Sequence, residues 1–437
     1  TTYLAQRFDA WRRGDRLTLI RWLEADRARG WTAAQRRARN TRHVETEHER
    51  GERASRVLEL ISEGEISRAM ALLHSFGIGG LTRGVLEQMA RKHPERHRIV
   101  PAAMPGGGQP PHAIAVHLEE TFRTLPRRRG TGVSGLPNEY LRALIGTFDD
   151  AQADRVMPAY DAFASAAANV SFPSWFYSAW AIAGLNPLVK AQLSPDQRAA
   201  GEDPDCRPVA VGESTLRAIA RQLTEECAVP ASEELRPQQV AVGVSGGLSV
   251  MIHGVRLLLE QRGDFVVVRL DMRNAYNAAS RAVLLRRLAE QPRLAHLAPF
   301  MHALSAGATD LLLGAMHQRL FPGTARGDSS EGTQQGLPPS SMIFCVGVHP
   351  ELRCLSAELE PFGGCARATS DDVYAMGPAH AVFPAVARFA ARLREMLDLE
   401  VQHHKSCCWS RHYDLDTCPW REQSGIPVGT VIVGDDL

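Results

Sequence analysis

The sequence predicts an α+β protein, and three observations carry that expectation. A long N-terminal stretch spaces its apolar residues at three and four. A Pro/Gly segment, "VPAAMPGGGQPP", then breaks the pattern. Beyond it, short β-branched runs alternate with amphipathic stretches. At 437 residues with 44% hydrophobic content, the chain suits two or three packed domains.

Taken in order, "FDAWRRGDRLTLIRWLEADRARGW" and "GERASRVLELISEGEISRAMALLHSFGIGG" read as helices, the second stretch as two joined at Glu63-Gly64 and stopped at Gly79-Gly80. Residues 1–100 thus form an all-α, Arg-rich extension, and 101–113 a linker. "GLPNEYLRALIGTF" and "ESTLRAIARQLTEEC" read as helices, and "SGGLSVMIHGVRLLLEQRG" as a glycine turn entering a helix. "DFVVVRLDM" (264–272) is a buried strand. "SRAVLLRRLAEQ" is an amphipathic helix with Ser280 as its cap. "TDLLLGAMHQRLFPGTARG" is a hairpin, and "LPPSSMIFCVGVHPELRCLSAEL" a buried helix with prolines at its first turn. "CARATSDDVYAMG" gives two strand halves, "AVFPAVARFAARLREMLDLE" a helix and "GIPVGTVIVGDDL" a strand.

Composition narrows the classes. No apolar run is long enough to cross a bilayer, so no membrane partner is expected. The chain begins at Thr1 rather than Met, and its first residues do not form a secretory signal. Eight cysteines without a CxxC pair read as reduced thiols of an intracellular protein, nuclear or mitochondrial compartments both remaining open. His403, His404, Cys407, Cys408, His412 and Cys418 gather in one stretch that could bind zinc, at spacings that match no zinc motif. Net charge is only +1, so the chain as a whole is no basic coat for nucleic acid. Positive charge is local: residues 1–42 hold eleven arginines against four acids, among them Arg12, Arg13, Arg16, Arg36, Arg37 and Arg39. Such a stretch can track phosphates or form a solvated helical face. Lysine occurs at 92, 190 and 405 and nowhere else. A lysine retained against that bias suits a place where a compact charge with a movable pKa is needed.

Asp371 and Asp372 adjoin in "ATSDDVYAMG". Alone, the pair reads as a hairpin turn. Asp271 ends the apolar strand "VVVRLD", where an unpaired carboxylate is costly. If that strand pairs with the hairpin, three carboxylates converge, and a divalent cation would relieve their repulsion. Mg²⁺ takes oxygen ligands and shares its shell with phosphates, and two such ions about 3.5–4 Å apart serve phosphoryl transfer.

These motifs, in this order, resemble those of reverse transcriptases, most closely the non-long-terminal-repeat retrotransposon type. "VVVRLDMRNAYNAASRAVLLRRL" is similar to the family's first palm motif, with Asp271 as metal ligand and Tyr276 at the aromatic position that closes over the sugar. "EGTQQGLPPSSMIFCVGVHPELRCL" resembles the next, its Gln335-Gly336 pair approaching template and incoming base. "ATSDDVYAMG" resembles the third, and "LEVQHHKSCCW" the fourth, with Lys405 at the position thought to protonate leaving pyrophosphate. "GIPVGTVIVG" resembles the primer grip. "GTGVSGLPNEYLRALI" resembles the segment before the fingers. "LNPLVK" and "CRPVAVGESTLRAIARQL" resemble fingers motifs, and imply Lys190 and Arg207 on the triphosphate. "QVAVGVSGGLSVMIHGVRLLLE" also fits.

The resemblance covers 115–437 and implies a right-hand polymerase: pre-fingers and fingers over 114–262, and a palm over 263–437 with an antiparallel sheet flanked by helices, ending at the primer grip without a thumb. It implies an RNA-directed DNA polymerase that uses two Mg²⁺ ions, an RNA template and a DNA or RNA primer. The sequence departs from the pattern at Thr369, Ser370 and Leu337. Those departures and the modest charge leave a second reading open. In it the chain is a domesticated, inactive scaffold that binds structured RNA beside other proteins of a large ribonucleoprotein, such as a ribosome.

Overall fold

The computed structural model describes residues 13, 15, 18, 21, 47–62, 64–80, 82–101, 113–127, 129–146, 150–313 and 328–428. It is a mixed α+β structure with small antiparallel sheets. Contacts divide the chain into two compact units that interleave in sequence. Unit 1 comprises 1–91, 184–209 and 311–327, and unit 2 comprises 92–183, 210–310 and 328–437. The boundary at 91/92 precedes the Pro/Gly linker, of which 102–112 lie outside the described residues. No helix among the described residues is long and apolar enough to cross a membrane.

Unit 1 holds helices α1 (Glu47–Ser62), α2 (Ile66–Leu73) and α3 (Arg83–Arg91). The break at Gly64 between α1 and α2 has φ +76°, a backbone shape that glycine adopts without a Cβ penalty. Most of strand β1 (Ala183–Val189) and of its hydrogen-bonded neighbour β2 (Cys206–Val211) also belongs here. Residues 77–79 pair with β1: the Gly79 N–H donates to the Pro187 carbonyl at 2.7 Å, and the Val189 N–H to the Gly77 carbonyl at 3.0 Å.

Unit 2 contains α4 (Asp150–Ala168), α5 (Ser214–Leu235) and α6 (Gly247–Gln261). Strand β3 (Val266–Leu270) follows, then α7 (Ala275–Ala278), α8 (Arg281–Glu290) and α9 (Ala298–Ser305). Next come the first two residues of β4 (Thr309–Leu313), the rest of which belongs to unit 1, and β5 (Asp328–Ser329), paired antiparallel at Thr309–Ser329 and Asp310–Asp328. Residues 314–327 of the expected hairpin lie outside the described residues. The buried helix α10 (Ser340–Leu359) leads to β6 (Cys365–Thr369), β7 (Asp372–Gly377), α11 (Ala379–Leu397) and β8 (Cys407–Ser410). The expected C-terminal strand falls largely in 429–437, outside the described residues.

The sheet that organises unit 2 has the order β6-β7-β3-β8. Its centre is β3, whose three consecutive valines are all buried, as a strand covered on both faces requires. Val266, Val268 and Leu270 join Val373 and Ala375 in the main core with α10 and α11. Val267 and Met376 form a smaller core with Phe265 and Leu259 of α6 on the opposite face. Burying apolar surface at roughly 25 cal/mol per Å² makes these two layers the main support of the sheet.

One local expectation is corrected. Ser280 occupies the N-cap position of α8, yet its hydroxyl makes no capping bond and has no partner. Glu331 takes over the capping task, its Oε2 accepting the Arg281 N–H at 2.7 Å. Arg281, the first residue of α8, is only 2% exposed. Its guanidinium donates to the carbonyls of Ser329 (2.9 Å), Glu331 (2.7 Å) and Gly332 (2.9 Å), which is how a buried cation is satisfied. The loop before α10 is thus tied to the start of α8.

Candidate functional site

The site is built on the edge of the sheet where β3 ends. Strand β3 pairs antiparallel with β7 in the register Val266–Gly377 to Leu270–Val373. The register ends at Leu270–Val373, so Asp271 directly follows the last paired residue of β3 and Asp372 directly precedes its partner on β7. Side chains alternate along a strand, so both fall on the Arg269–Tyr374 side. Asp372 is exposed and Asp271 half-buried.

Strands β6 and β7 form a hairpin closed by the Thr369–Asp372 pair, leaving Ser370 and Asp371 as its two-residue tip. Ser370 has φ +61°, and Asp371 is not among the positive-φ residues. One left-handed residue at the first tip position is the pattern of a type II′ hairpin turn. Asp371 is half-buried, and its negative charge acts on Tyr276 and Cys345. Burial is the first cause that pushes both of those groups up, and the Asp371 charge adds to it.

A second turn locks Asp271 from the other side. The Asp271 N–H donates to Ser406 Oγ at 3.1 Å, and the Asp271 carbonyl accepts the Gln402 N–H at 2.8 Å. Ser406 is buried and donates in turn to the Gln402 carbonyl at 2.9 Å. Lys405 sits exposed on this same turn, one residue before Ser406. The structure therefore brings together the Asp271 strand end, the Asp371-Asp372 hairpin and the Lys405 turn.

Tyr276 is half-buried and packs against the core, its ring stacked on Phe344 with centroids 4.8 Å apart. Its hydroxyl shares hydrogen bonds with Ser341 Oγ at 3.1 Å and with Ser370 Oγ. The aromatic position expected to close over a sugar thus holds the hairpin tip through its hydroxyl. Its carbonyl accepts the Thr333 N–H at 2.7 Å, so the same short helix α7 also anchors the loop that carries Gln335-Gly336. The Gln335 carbonyl accepts the Ala210 N–H at 3.0 Å. Gly336 has φ +115°, and a Cβ there would stand 2.3 Å from the Ala210 carbonyl oxygen. No other residue fits that position without moving the loop.

The remaining expected residues belong to unit 1 or lie outside the described residues. Lys190 and Arg207 belong to unit 1: Lys190 pairs with Asp205 at 2.7 Å, and Arg207 is exposed. Arg13 is exposed, while Arg12, Arg16, Arg36, Arg37 and Arg39 lie outside the described residues. The zinc reading has an obstacle, since Cys407 and Cys408 are successive strand residues that point to opposite faces. Among the described residues no group of three His, Cys, Asp or Glu side chains stands close enough to hold a metal ion. Three supporting residues had no signal in the sequence: Gln239, Ser406 and Phe344. Each acts through a contact 90 or more residues away, or, for Phe344, through a ring stack across two helices.

No model of a known protein family matches the chain, and no curated protein matches it significantly.

Proposed function

We propose that this edge is the nucleotidyl-transfer centre of an RNA-directed DNA polymerase of the reverse-transcriptase kind, with unit 2 carrying its palm. The observation that carries the reading is the β3–β7 register, which draws Asp271 to the acid hairpin from about a hundred residues away in sequence. The motif likeness supports it from the side of the sequence.

The donor set suits Mg²⁺: carboxylates alone, hard oxygen ligands at a strand end and a hairpin tip. Mg²⁺ is commonly held by one or two carboxylates, with substrate phosphates and water completing its shell. The open arrangement of Asp271, Asp371 and Asp372 is compatible with that habit. When bound, the two ions lower the pKa of the primer 3′-hydroxyl and neutralise charge on the leaving pyrophosphate. The protein's own residues do the rest. Asp271 and Asp372 set the position of the reacting end, fixed by the strand ladder and by Ser406 and Gln402. The primer 3′-hydroxyl gives its proton to water, its oxygen forms the bond to the α-phosphorus as the bond to pyrophosphate breaks, and Lys405 is the proton donor to the departing oxygen. The Gln335-Gly336 loop, with its rigid glycine, offers bare backbone to the template–nucleotide pair.

The test is primer extension on an RNA template with Asp371→Asn as control. The reading expects extension by the wild type, and loss of about two orders of magnitude or more in the variant. Equal signal from both proteins indicates a contaminant.

The second reading, an inactive RNA-binding scaffold, is favoured by one observation: the three carboxylates are not gathered into a closed ligand group. It expects RNA binding without extension by either protein, and binding unchanged in Asp371→Asn.

A further inference from the structure

Ser370 holds a left-handed conformation that a residue with a Cβ rarely adopts. Something must select it, because the direction of the Asp371 side chain follows from the backbone of the residue before it. Gln239 is 1% exposed and meets Ser370 with both ends of its amide. Its Oε1 accepts the Ser370 N–H at 2.8 Å, and its Nε2 donates to the Ser370 carbonyl at 3.1 Å. Oε1 also accepts the Ala241 N–H at 3.2 Å, so only one orientation of the amide satisfies all three partners.

Gln239 is itself on a firm base. Its N–H donates to the Leu235 carbonyl at the end of α5, at 2.9 Å. Segment 238–240 runs parallel to β6: the Val240 N–H donates to the Ala368 carbonyl at 2.9 Å, and the Ala368 N–H to the Gln238 carbonyl at 2.6 Å. The hairpin tip is therefore gripped twice, by its backbone at Gln239 and by the Ser370 side chain at Tyr276. A neutral amide suits this place. It supplies an acceptor and a donor together and adds no negative charge beside two carboxylates.

We infer that Gln239 is a positioning residue that fixes the backbone of Ser370 and so aims Asp371. Its consequence for catalysis rests on the polymerase reading; its effect on the hairpin does not. The experiment compares wild type, Gln239→Leu, Gln239→Glu and Gln238→Leu by hydrogen exchange of the peptide spanning 366–374, by Mn²⁺ titration followed by electron paramagnetic resonance, and by kcat and KM in primer extension. Gln239→Leu speeds exchange at the tip about tenfold and weakens Mn²⁺ binding about tenfold, as loss of a supporting hydrogen-bond partner does. It lowers kcat and leaves the nucleotide KM within about twofold. Gln239→Glu, which keeps the acceptor, falls between, and Gln238→Leu matches wild type.

The proposal is overturned if folded Gln239→Leu exchanges at the tip as wild type does. It is also overturned if exchange rises while Mn²⁺ affinity stays unchanged, which marks a merely structural residue. Should Gln239→Leu not fold, Gln239→Glu supplies the same comparison. If wild type binds Mn²⁺ no better than Asp371→Asn, the polymerase reading fails, and Gln239 is judged on exchange at the tip alone.

Discussion

Gly336 combines a backbone angle closed to other residues with a carbonyl oxygen 2.3 Å from where its Cβ would be. Gly336→Ala therefore has to displace the Gln335 loop, at a cost of about 1–3 kcal/mol for the backbone strain alone. A urea titration should show that loss, and primer extension should fall with it. His349 offers a pH-dependent counterpart. It is buried on α10 with Nδ1 unpartnered, and burial first, then the nearby Arg353 charge, pulls its pKa down to about 4 against a backbone hydrogen bond at Glu234. A histidine depressed below its unfolded value near 6.5 stays neutral in the fold while the unfolded chain takes up the proton. Its contribution is whole above pH 6.5 and is lost as pH falls from there toward 4, amounting to about 3 kcal/mol at most. Urea midpoints at pH 7.5 and pH 5 should differ less in His349→Gln than in wild type. Ser370 belongs to the same scale. Its setting supplies a use for the hydroxyl that an alanine lacks: a hydrogen bond to Tyr276.

Among the elements, α8 and α10 are joined by a buried ion pair. Arg287 reaches Glu351 through two contacts, at 2.5 and 2.7 Å, and also donates to the Gly347 carbonyl. Both side chains are under a tenth exposed. Glu351→Gln should cost about 3–5 kcal/mol, because it strands a buried guanidinium, whereas the pair Arg287→Met with Glu351→Met should cost much less. Thermal melts of the two variants and the wild type check this. The elements themselves were largely legible beforehand. A run of valines bounded by charge announced β3, an acid pair between runs of mostly small and apolar residues announced the β6–β7 hairpin, and a long apolar stretch behind two prolines announced α10. What stayed hidden were charged residues turned inward. An arginine in an amphipathic stretch carries no sign that it turns inward, and only the fold shows the carbonyls around Arg281 and the partner charge of Arg287 that satisfy them. The site divides in the same way. Asp271, Asp371, Asp372 and Lys405 carry chemistry in their residue types, so a sequence can name them. Gln239, Gln402 and Ser406 act through backbone contacts across the sheet, and no residue type marks such a task.

At the scale of the molecule, the two compact units interleave along the chain, whereas a linker alone suggests a division in chain order. The reason is long-range pairing: residues 77–79 join β1 more than a hundred positions later, and such contacts leave no mark in composition. Unit 2 alone holds the acids, the Gln335-Gly336 loop and the Lys405 turn, so the central claim can be put to one region. That claim is that Asp271, Asp371 and Asp372 serve as a shared divalent-cation site. The most direct measurement is anomalous diffraction from crystals grown with Mn²⁺, an RNA template–primer duplex and an incoming nucleotide. The account predicts Mn²⁺ peaks at about 2.0–2.2 Å from carboxylate oxygens of both Asp271 and Asp371, a distance set by hard-cation coordination. A nucleotide bound without Mn²⁺ at these residues, or carboxylates of Asp271 and Asp371 more than about 8 Å apart, beyond the span of two ions held as a pair, would contradict it.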